Sequence, residues 1–562
     1  MGRKAGEVRR LTHHLASGLM GLLLIVSCFR KSPEEQARAK AEEGPTACAV
    51  LIAKSIREPE QVEYLFGVAE CMAAHQREEK AQVLIHATAL ARASRHPEYQ
   101  LQRLARAWHE AGRNDEALEV LREAPDAYTY AAIGEPDRAL EVASRIGVPP
   151  ADGEFQRSND THDKANALTC IAGAYLDAGK KSKTLELLAQ ASGLVKAIGD
   201  DHWEARTTEH IALGYARAGE LERALYLARH MKESLFPEPS ESRLAPVHFK
   251  LMAMIRIANM LLDGGHKDEA SQVLSEARDV ARKIDHPYLK AEMLKDVALT
   301  FAGAGRYDWG CMWKHHGICE GPDPDMGLQI ARSIEHPLLK AITLDWISGT
   351  CLKLGQQSRA LAILGEAHRT VTGIPDGSPC ADIGELGFLS RSKEDVLARL
   401  AGTYAEAGQF SQAFQIAEAT TTTYRAEALT YIGLAYAKCG EKRKALDLLS
   451  RVFDQYGAYD DRVQAYVEVG AWQEALKWAT AKGNDDARET LVMKCVEAGR
   501  YDDAIEVASA MKEAYSKAEA LARVGAHYPT AGQGMSHKAR GILRGMVARS
   551  LHPHPGSPQE TQ

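Results

Sequence analysis

One short segment brings together side chains that bind metals in other proteins. Cys311, His315, His316 and Cys319 lie in the stretch Cys-Met-Trp-Lys-His-His-Gly-Ile-Cys. Two thiolates with two imidazoles are a common ligand set for tetrahedral zinc, but the spacing fits no standard zinc finger. A disulfide between Cys311 and Cys319 is the simpler alternative. A surface loop that does neither is our working interpretation, with the four residues as weak metal candidates.

A second pair of cysteines flanks a predicted helical hairpin. Cys48 and Cys71 lie on either side of a turn near Pro59, and antiparallel helices bring such positions level. Two interpretations stay open, a disulfide between them or two free cysteines that pack as small apolar side chains. Ten cysteines are too few for a disulfide framework in 562 residues.

Motifs of catalytic and cofactor sites are missing from the sequence. It contains no G-x-x-x-x-G-K-[ST] phosphate loop, no G-x-S-x-G nucleophile elbow and no H-E-x-x-H zinc motif. His286 and His336 each precede a proline, and we interpret them as part of a repeat and not as ligands. We therefore expect no catalytic residue, no cofactor and no enzymatic activity.

The N-terminus has the features of an export signal. Basic residues at 3, 4, 9 and 10 precede an apolar stretch at 15–26. This stretch is shorter than the roughly 20 apolar residues of a spanning helix and suits a signal peptide. An uncleaved signal anchor is the alternative interpretation.

The end of this segment, Ile25-Val26-Ser27-Cys28, resembles the lipobox of bacterial lipoproteins. In that family the cysteine is lipidated and becomes the first residue of the mature chain. The resemblance implies a lipid on Cys28 and a place in the bacterial cell envelope. Phe29 stands where an aspartate would favour the inner membrane, so the outer membrane is slightly favoured. A cytoplasmic or inner-membrane-anchored protein is the alternative.

Length and composition indicate a large helical protein. A chain of 562 residues exceeds what one hydrophobic core supports, so it must form several domains or a repeat array. Hydrophobic residues make up 45% and charged residues 26%, and alternating β-branched runs are absent. The formal net charge of -7 argues against nucleic-acid binding, which normally leaves a basic footprint.

A repeated pattern is centred on glycines. A small residue often lies seven positions before the glycine, a large aromatic often lies four before it, and an alanine often lies five after it. The glycines are Gly112, Gly134, Gly179, Gly219, Gly265, Gly305, Gly355, Gly408, Gly440, Gly470, Gly499 and Gly532. The clearest packing residues are Trp108, Gly112, Ala117, Tyr175, Gly179, Tyr215, Gly219, Ala224, Tyr404, Gly408, Tyr436, Gly440 and Ala445.

Each part of the pattern has a physical role in a helix-turn-helix unit. Glycine suits the left-handed residue that ends a helix. Small residues let two helices approach closely, and the aromatic fills the remaining space. The offsets resemble those of the tetratricopeptide repeat. This resemblance implies an all-α, right-handed α-solenoid of stacked antiparallel helix pairs.

Breaks in the pattern suggest a domain organisation. We expect a signal peptide at 1–28, a flexible tether at 29–45, N-terminal repeats at 46–150, central repeats at 161–370 with an inserted loop at 306–327, C-terminal repeats at 391–547, and a disordered tail at 548–562.

The sequence as a whole favours a non-catalytic scaffold for protein-protein interaction. Stacked helix pairs expose a long groove that holds a peptide or protein partner. The expected partners are such a protein and, through the lipid, a membrane, but no nucleic acid. Alternatives are a cytoplasmic or membrane-anchored adaptor, an RNA-binding helical repeat of the pentatricopeptide type, and a metal or redox protein that uses residues 311–319.

Overall fold

The protein was analysed as a computed structural model. It describes residues 33–55, 61–72, 76–94, 97–147, 154–233, 246–304, 321–376, 392–452, 459–481, 484–527 and 535–551. Within these ranges the regular structure is α-helical, with one 3₁₀ turn at Val195–Ala197 and no strand. The predicted all-α fold of packed helix pairs is therefore confirmed.

The helices follow one another with short connections. The first half contains α1 (Pro33–Glu43), α2 (Pro45–Ser55), α3 (Gln61–Cys71), α4 (Arg77–Ala93), α5 (Pro97–Glu110), α6 (Asn114–Glu123), α7 (Ala127–Ile133), α8 (Pro136–Ser144), α9 (Glu154–Asp177), α10 (Lys181–Leu194), α11 (Asp201–Arg217), α12 (Leu221–Arg229), α13 (Pro246–Asp263) and α14 (Lys267–Arg282). The second half contains α15 (Pro287–Ala302), α16 (Pro324–Ser333), α17 (Pro337–Lys353), α18 (Gln357–Thr372), α19 (Lys393–Glu406), α20 (Phe410–Glu418), α21 (Thr422–Lys438), α22 (Lys442–Arg451), α23 (Tyr459–Glu468), α24 (Trp472–Ala481), α25 (Asp485–Glu497), α26 (Tyr501–Ala510), α27 (Ala514–His527) and α28 (His537–Leu551).

A glycine turn joins the two helices of a repeat. Ten of the twelve predicted glycines lie in the described ranges, and their φ angles run from 69° to 88°. In one such turn the Gly179 amide donates to the Leu176 carbonyl at 2.8 Å, and the Lys180 amide donates to the Tyr175 carbonyl at 2.8 Å. These two bonds close the first helix as a Schellman motif, which requires a left-handed residue that glycine adopts at little cost.

Small and aromatic side chains fill the space between the helices of each pair. The alanine five residues after the glycine is fully buried in all nine copies that carry it. These are Ala117, Ala139, Ala224, Ala270, Ala360, Ala413, Ala445, Ala475 and Ala504. The aromatic four residues before the glycine is buried at Trp108, Tyr130, Tyr175, Tyr215, Phe301, Tyr404 and Tyr466, and half-buried at Tyr436. Burying an aromatic side chain contributes about 1.5–3 kcal/mol.

The chain divides into two compact units, and residues 118–471 form one of them. In this unit the first helix of each repeat packs against its own second helix, as α17 does against α18. It also packs against the first helix of the next repeat, so that α9, α11, α13, α15, α17, α19, α21 and α23 contact in succession. The first helices therefore form a continuous row.

The other unit is built from both ends of the chain, residues 1–117 and 472–562. Here α2 packs on α27, and α1 packs on α28. A Cβ added at Gly525 would lie 1.9 Å from the Thr46 hydroxyl oxygen, so the glycine permits this close approach. The Gln76 side chain donates to the Gly525 carbonyl at 3.2 Å. Helices α25, α27, α3 and α5 contact in succession, which makes a second row of first helices.

Three segments differ from what the sequence predicted. The expected flexible tether at 29–45 contains α1, because Ala37 and Ala41 lie one helical turn apart and are buried. The expected inserted loop at 306–327 ends earlier, since Pro324 occupies the first turn of α16. The expected disordered tail from residue 548 begins within α28, which extends to Leu551. The reason is that Leu543 and Val547 of this helix are buried.

Alanine at a turn glycine and alanine at a helical glycine should act in opposite directions. Gly179→Ala should destabilise the fold by about 1–2 kcal/mol, because an L-residue is strained at φ 73°. Gly193→Ala in α10 should stabilise it by about 0.5–1 kcal/mol, because its new methyl group meets nothing within 4 Å. Urea unfolding of both variants measures the difference, and equal effects would contradict the assigned turn.

Candidate functional site

Several predicted site residues lie outside the described ranges. These are Cys28, Cys311, His315, His316 and Cys319. The proposed lipid attachment and the proposed metal or disulfide site therefore remain predictions. Among the described residues, no group of three or more histidine, cysteine, aspartate and glutamate side chains is arranged to hold a metal ion.

The two cysteines of the predicted hairpin are free thiols. Cys48 is buried and Cys71 is half-buried, and the structure forms no disulfide between them. Burial raises the pKa of the Cys48 thiol to about 12 and that of the Cys71 thiol to about 11. Both groups are protonated at neutral pH, and a protonated thiol is a poor nucleophile and metal ligand. Of the two interpretations left open, free cysteines are the one that the structure contains.

His286 and His336, which each precede a proline, are the N-terminal caps of two helices. The imidazole Nδ1 of His286 accepts from the Leu289 amide at 3.2 Å, and that of His336 accepts from the Leu339 amide at 3.4 Å. Each bond satisfies an amide at the start of a helix, in the way that a serine or aspartate cap does. The two histidines thus position the first turns of α15 and α17.

Carboxylate-arginine pairs link the first helices of consecutive repeats. Glu209 of α11 pairs with Arg256 of α13 at 3.1 Å, and Asp345 of α17 pairs with Arg399 of α19 at 3.5 Å. In both cases the carboxylate lies ten residues before its turn glycine, and the arginine lies nine before the next one. The same two positions of different repeats are therefore brought together twice in this unit.

The unit built from the chain ends contains the same pairing. Glu489 of α25 lies 3.4 Å from Arg523 of α27, again ten and nine residues before the respective glycines. Glu63 of α3 pairs with Arg103 of α5. The guanidinium of Arg103 also lies 4.4 Å from the centre of the Phe66 ring, a cation-π contact. Four pairs of one kind therefore recur along the two rows of first helices.

In the two pairs of residues 118–471 the carboxylate is more deeply buried than the arginine, whereas Glu489 and Glu63 of the other unit are 50% and 39% exposed. The side chains of Glu209 and Asp345 are each 6% exposed, whereas those of Arg256 and Arg399 are each 23% exposed. Asp345 also accepts a hydrogen bond from the Thr403 hydroxyl at 2.7 Å. In the pairs of Glu209 and Asp345, the carboxylate therefore binds the arginine from its buried side. Part of each arginine side chain remains exposed to solvent. Such a group can donate further hydrogen bonds to a partner.

Burial shifts the protonation of Glu209. It raises the pKa of this carboxyl to about 7, and the nearby Arg256 and Arg206 oppose the shift. Burial also raises the pKa of Asp296 of α15, while Lys295, 3.2 Å from it, acts in the opposite direction. Of these carboxyl groups on first helices, that of Glu209 changes charge near neutral pH.

A histidine cluster continues the row from α9 to α11. The Asn166 amide nitrogen donates to His162 Nε2 at 2.9 Å, and His162 Nδ1 donates to the Thr207 hydroxyl at 2.7 Å. His210 Nδ1 donates to the Asn166 carbonyl oxygen at 3.1 Å. The Trp203 ring covers His162 at a centroid distance of 4.3 Å. Polar contacts therefore join α9 to α11 here, in addition to the pair of Asp177 with Arg217 at 3.3 Å near the ends of these two helices.

These imidazoles are neutral at physiological pH. Burial lowers the pKa of His162, His210 and His248 to about 4 in each case. Neutral imidazoles with amide, hydroxyl and indole neighbours provide hydrogen-bonding and stacking surface. The hydroxyl beside an imidazole in this cluster is that of Thr207, which lies 2.7 Å from His162 Nδ1.

The sequence interpretation missed these pairs, although a signal was present. When the repeats are aligned on their turn glycines, the acid lies ten residues before one glycine. The arginine lies nine residues before the glycine of the following repeat. The signal is weak within any one repeat because its two members belong to different repeats.

The chain is thus an all-α protein of repeated helix pairs. No family model matches the sequence, and no curated protein matches it. No described helix is both long enough and apolar enough to cross a membrane.

Three solved structures are similar to parts of the chain. Ton1535 from Thermococcus onnurineus NA1 shares 16% identity and a TM-score of 0.26, over 66% of this chain and 99% of that one. The signal transduction ATPase PH0952 from Pyrococcus horikoshii, which has a tetratricopeptide repeat sensor, shares 15% identity and a TM-score of 0.24, over 71% and 54%. The RpL4 assembly chaperone Acl4 shares 15% identity and a TM-score of 0.18, over 57% and 96%. Similarities of this size identify neither a family nor a function.

Two neighbouring substitutions should show opposite pH trends. Glu209 has a folded pKa of about 7, above its usual 4.5, so its neutral form favours folding and this contribution is lost as pH rises from 4.5 to 7. Glu209→Gln should therefore gain roughly 2–3 kcal/mol relative to the parent between pH 5 and pH 8.

His210→Gln should instead gain relative stability as pH falls from 6.5 to 4. Its folded pKa of about 4 lies below the usual 6.5, so the parent loses stability in that window. Chemical denaturation across pH measures both trends, with the exposed Glu222→Gln as control. If the difference in unfolding free energy between Glu209→Gln and the parent did not change with pH, the burial of this carboxyl would be contradicted.

Proposed function

We propose that the protein is a non-catalytic scaffold of the bacterial cell envelope that binds a peptide or protein partner along its first helices. The observation that carries the proposal is the recurrence of carboxylate-arginine pairs between first helices. They hold successive first helices in a fixed register and leave part of each guanidinium accessible. A surface that is ordered before binding loses less conformational entropy when a partner binds.

The first helices α11 and α13 illustrate what a partner would meet. Arg206 is exposed and its guanidinium lies 5.4 Å from the centre of the Trp203 ring. Arg256 of the next first helix is partly exposed. Arginine and tryptophan are among the residue types most enriched at the energetic centres of interfaces. An extended peptide that crosses successive helices would meet such groups in turn.

Support for a scaffold without catalysis comes from the state of the ionisable groups. The buried histidines are neutral at physiological pH, and the buried thiols are protonated. The arginines of the inter-repeat pairs already have carboxylate partners. Side chains in these states hydrogen-bond and pack, which is what a binding surface requires, and none of these groups pairs an activated nucleophile with a base.

The proposed place in the envelope rests on the lipobox-like sequence that ends at Cys28. Helix α1 begins at Pro33, only five residues later. Even a fully extended segment of that length spans only about 17 Å. A lipid on Cys28 would thus hold the unit formed by the chain ends close to the bilayer. The alternative remains a cytoplasmic or membrane-anchored adaptor that uses the same surface.

Site-specific cross-linking tests the binding surface. A photo-reactive amino acid in place of Leu213, which is half-buried on first helix α11 two turns after Arg206, should yield a defined product with one partner in intact cells. The same amino acid in place of Tyr226 should not, because that residue is 60% exposed on second helix α12 of the same repeat. Identical products from both positions, or none from Leu213, would count against the first-helix surface.

Intact-mass analysis tests the proposed anchor. The native protein should start at Cys28 and carry added acyl mass, and it should fractionate with membranes. Cys28→Ser should lose the acyl mass, whereas Cys48→Ser should keep it, because Cys48 is a buried core residue. A native chain that still starts at Met1 without acyl mass would exclude the lipid anchor and favour the adaptor.

A further inference from the structure

One exposed cation of the first-helix row has no acidic partner. Arg206 of α11 is exposed, and it forms no ion pair with any residue that the structure describes. The acids near the start of the same helix are occupied, because Asp201 and Glu204 bind Lys232 at 2.5 Å and 2.8 Å. The Arg206 guanidinium lies over the Trp203 ring instead. Such a stacked guanidinium is held in place while its N–H groups stay available for a ligand.

A second arginine lies close to the first. Arg256 of α13 pairs with Glu209 at 3.1 Å and remains 23% exposed. Both Arg206 and Arg256 act electrostatically on the Glu209 carboxyl and on the His210 imidazole, so the two guanidinium groups serve one part of the surface. Of the two arginines, only Arg256 forms an ion pair with this carboxylate. Two guanidinium groups therefore lie beside one paired carboxylate at this part of the surface.

The neighbouring groups add contact surface, and the carboxylate among them, that of Asp200, caps the helix by accepting from the Trp203 amide at 3.0 Å. Trp203 covers the His162 ring, and His162 is linked through Asn166 to His210. Both imidazoles are neutral at physiological pH, because burial lowers the pKa of each to about 4. An aromatic wall, neutral hydrogen-bonding groups and two guanidinium groups suit a carboxylate, which accepts two parallel bonds from an arginine.

The charge at this surface changes with pH through Glu209. The charged groups that act on its carboxyl are Arg206 of its own helix and Arg256 of α13, while burial raises its pKa to about 7. The nearby imidazoles of His162 and His210 stay neutral in this range. A proton on Glu209 removes the one carboxylate that competes for Arg256. Among the described residues, Arg256 then joins Arg206 as a guanidinium group with no competing carboxylate, so both are available to a ligand.

We propose that Arg206, Trp203 and Arg256 form a subsite for an acidic side chain of the peptide partner, and that a proton on Glu209 strengthens binding there. This inference rests on the proposed function, because it names the chemistry of the partner on the same first-helix surface. Aspartate-rich or glutamate-rich segments are the partner class that complements the charge. A nucleic acid would also complement the charge, and the test below separates it from a peptide.

Fluorescence anisotropy with two labelled decapeptides tests the charge preference. One probe alternates aspartate with serine, and the other alternates asparagine with serine. The purified full chain should bind the aspartate peptide at least tenfold more tightly, since a hydrogen bond to a charged group contributes about 1.5–3 kcal/mol. High salt should reduce the difference. Equal binding of the two peptides, or binding of neither, would overturn the proposal.

A matched pair of arginine variants identifies the subsite. Arg206→Gln should weaken binding of the aspartate peptide about tenfold. Arg223→Gln removes the same charge from an exposed position of second helix α12, where the guanidinium also lies over an aromatic ring, that of Tyr215 at 5.9 Å. This control should bind as the parent does. Equal losses would show unspecific attraction and overturn the assignment, and circular dichroism confirms that each variant is folded.

The pH profile of binding tests the role of Glu209. The parent should bind the aspartate peptide more tightly at pH 6 than at pH 8, because the peptide stays ionised while Glu209 gains a proton. Glu209→Gln should bind tightly at both values, since its neutral amide leaves Arg256 unopposed. A variant that keeps the profile of the parent would overturn the part of the proposal that concerns Glu209.

The experiments distinguish an error in the acidic-peptide subsite from an error in the proposed scaffold. If a cross-linker at Leu213 captures a partner in cells but neither decapeptide binds, the scaffold stands and its proposed preference for an acidic partner is wrong. If the aspartate peptide binds at Arg206 but no partner is cross-linked from Leu213, the subsite stands and the scaffold is wrong. Competition with a short double-stranded RNA separates a peptide site from a general polyanion site. If the RNA displaces the aspartate peptide from the parent, and Arg206→Gln no longer binds the RNA, the assignment of the site to a peptide is overturned.

Discussion

The ion pair between consecutive first helices is the interaction on which the proposed binding surface depends. Two stacked helix pairs can slide past each other when only alanine and leucine lie between them, because apolar contacts have little directional preference. A buried carboxylate that meets a guanidinium fixes the register, since a shift of one turn would leave a charge buried without a partner. The pairs Glu209–Arg256 and Asp345–Arg399 do so at equivalent positions, and each of these carboxylates is 6% exposed. Glu489 and Arg523 occupy the same positions in the other unit, where the carboxylate is 50% exposed.

Within each repeat, the glycine turn and the buried alanine prepare this contact. The turn ends the first helix at a defined residue, and the alanine lets the second helix lie close against it. Together the turn and the alanine set the orientation of the first helix. They therefore also determine which way its carboxylate-bearing side faces. Between α9 and α11 the neutral histidines add a second contact, in which Asn166 links His162 to His210, while Asp177 pairs with Arg217 near the helix ends. Several kinds of polar contact thus serve the same purpose.

The sequence predicted the repeated helix pairs, because the turn glycine and the packing alanine leave fixed offsets along the chain. The turn at Gly179 and the burial of Ala224 follow from these offsets. Contacts between distant residues leave no such offset. The pairing of Glu42 with Arg540 joins residues almost the whole chain apart, so the helical state of α1 was missed and a tether was expected. The inter-repeat ion pairs were missed because each joins residues of two different repeats.

A double-mutant cycle on Asp345 and Arg399 tests the central claim most directly. The free energy of unfolding is measured for the parent, Asp345→Asn, Arg399→Gln and the double variant. If the pair holds consecutive first helices in register, the two substitutions should couple by about 1–3 kcal/mol, and the double variant should lose less stability than the sum of the single ones. Additivity within about 0.5 kcal/mol would show that the two side chains are only neighbours, and would contradict the account.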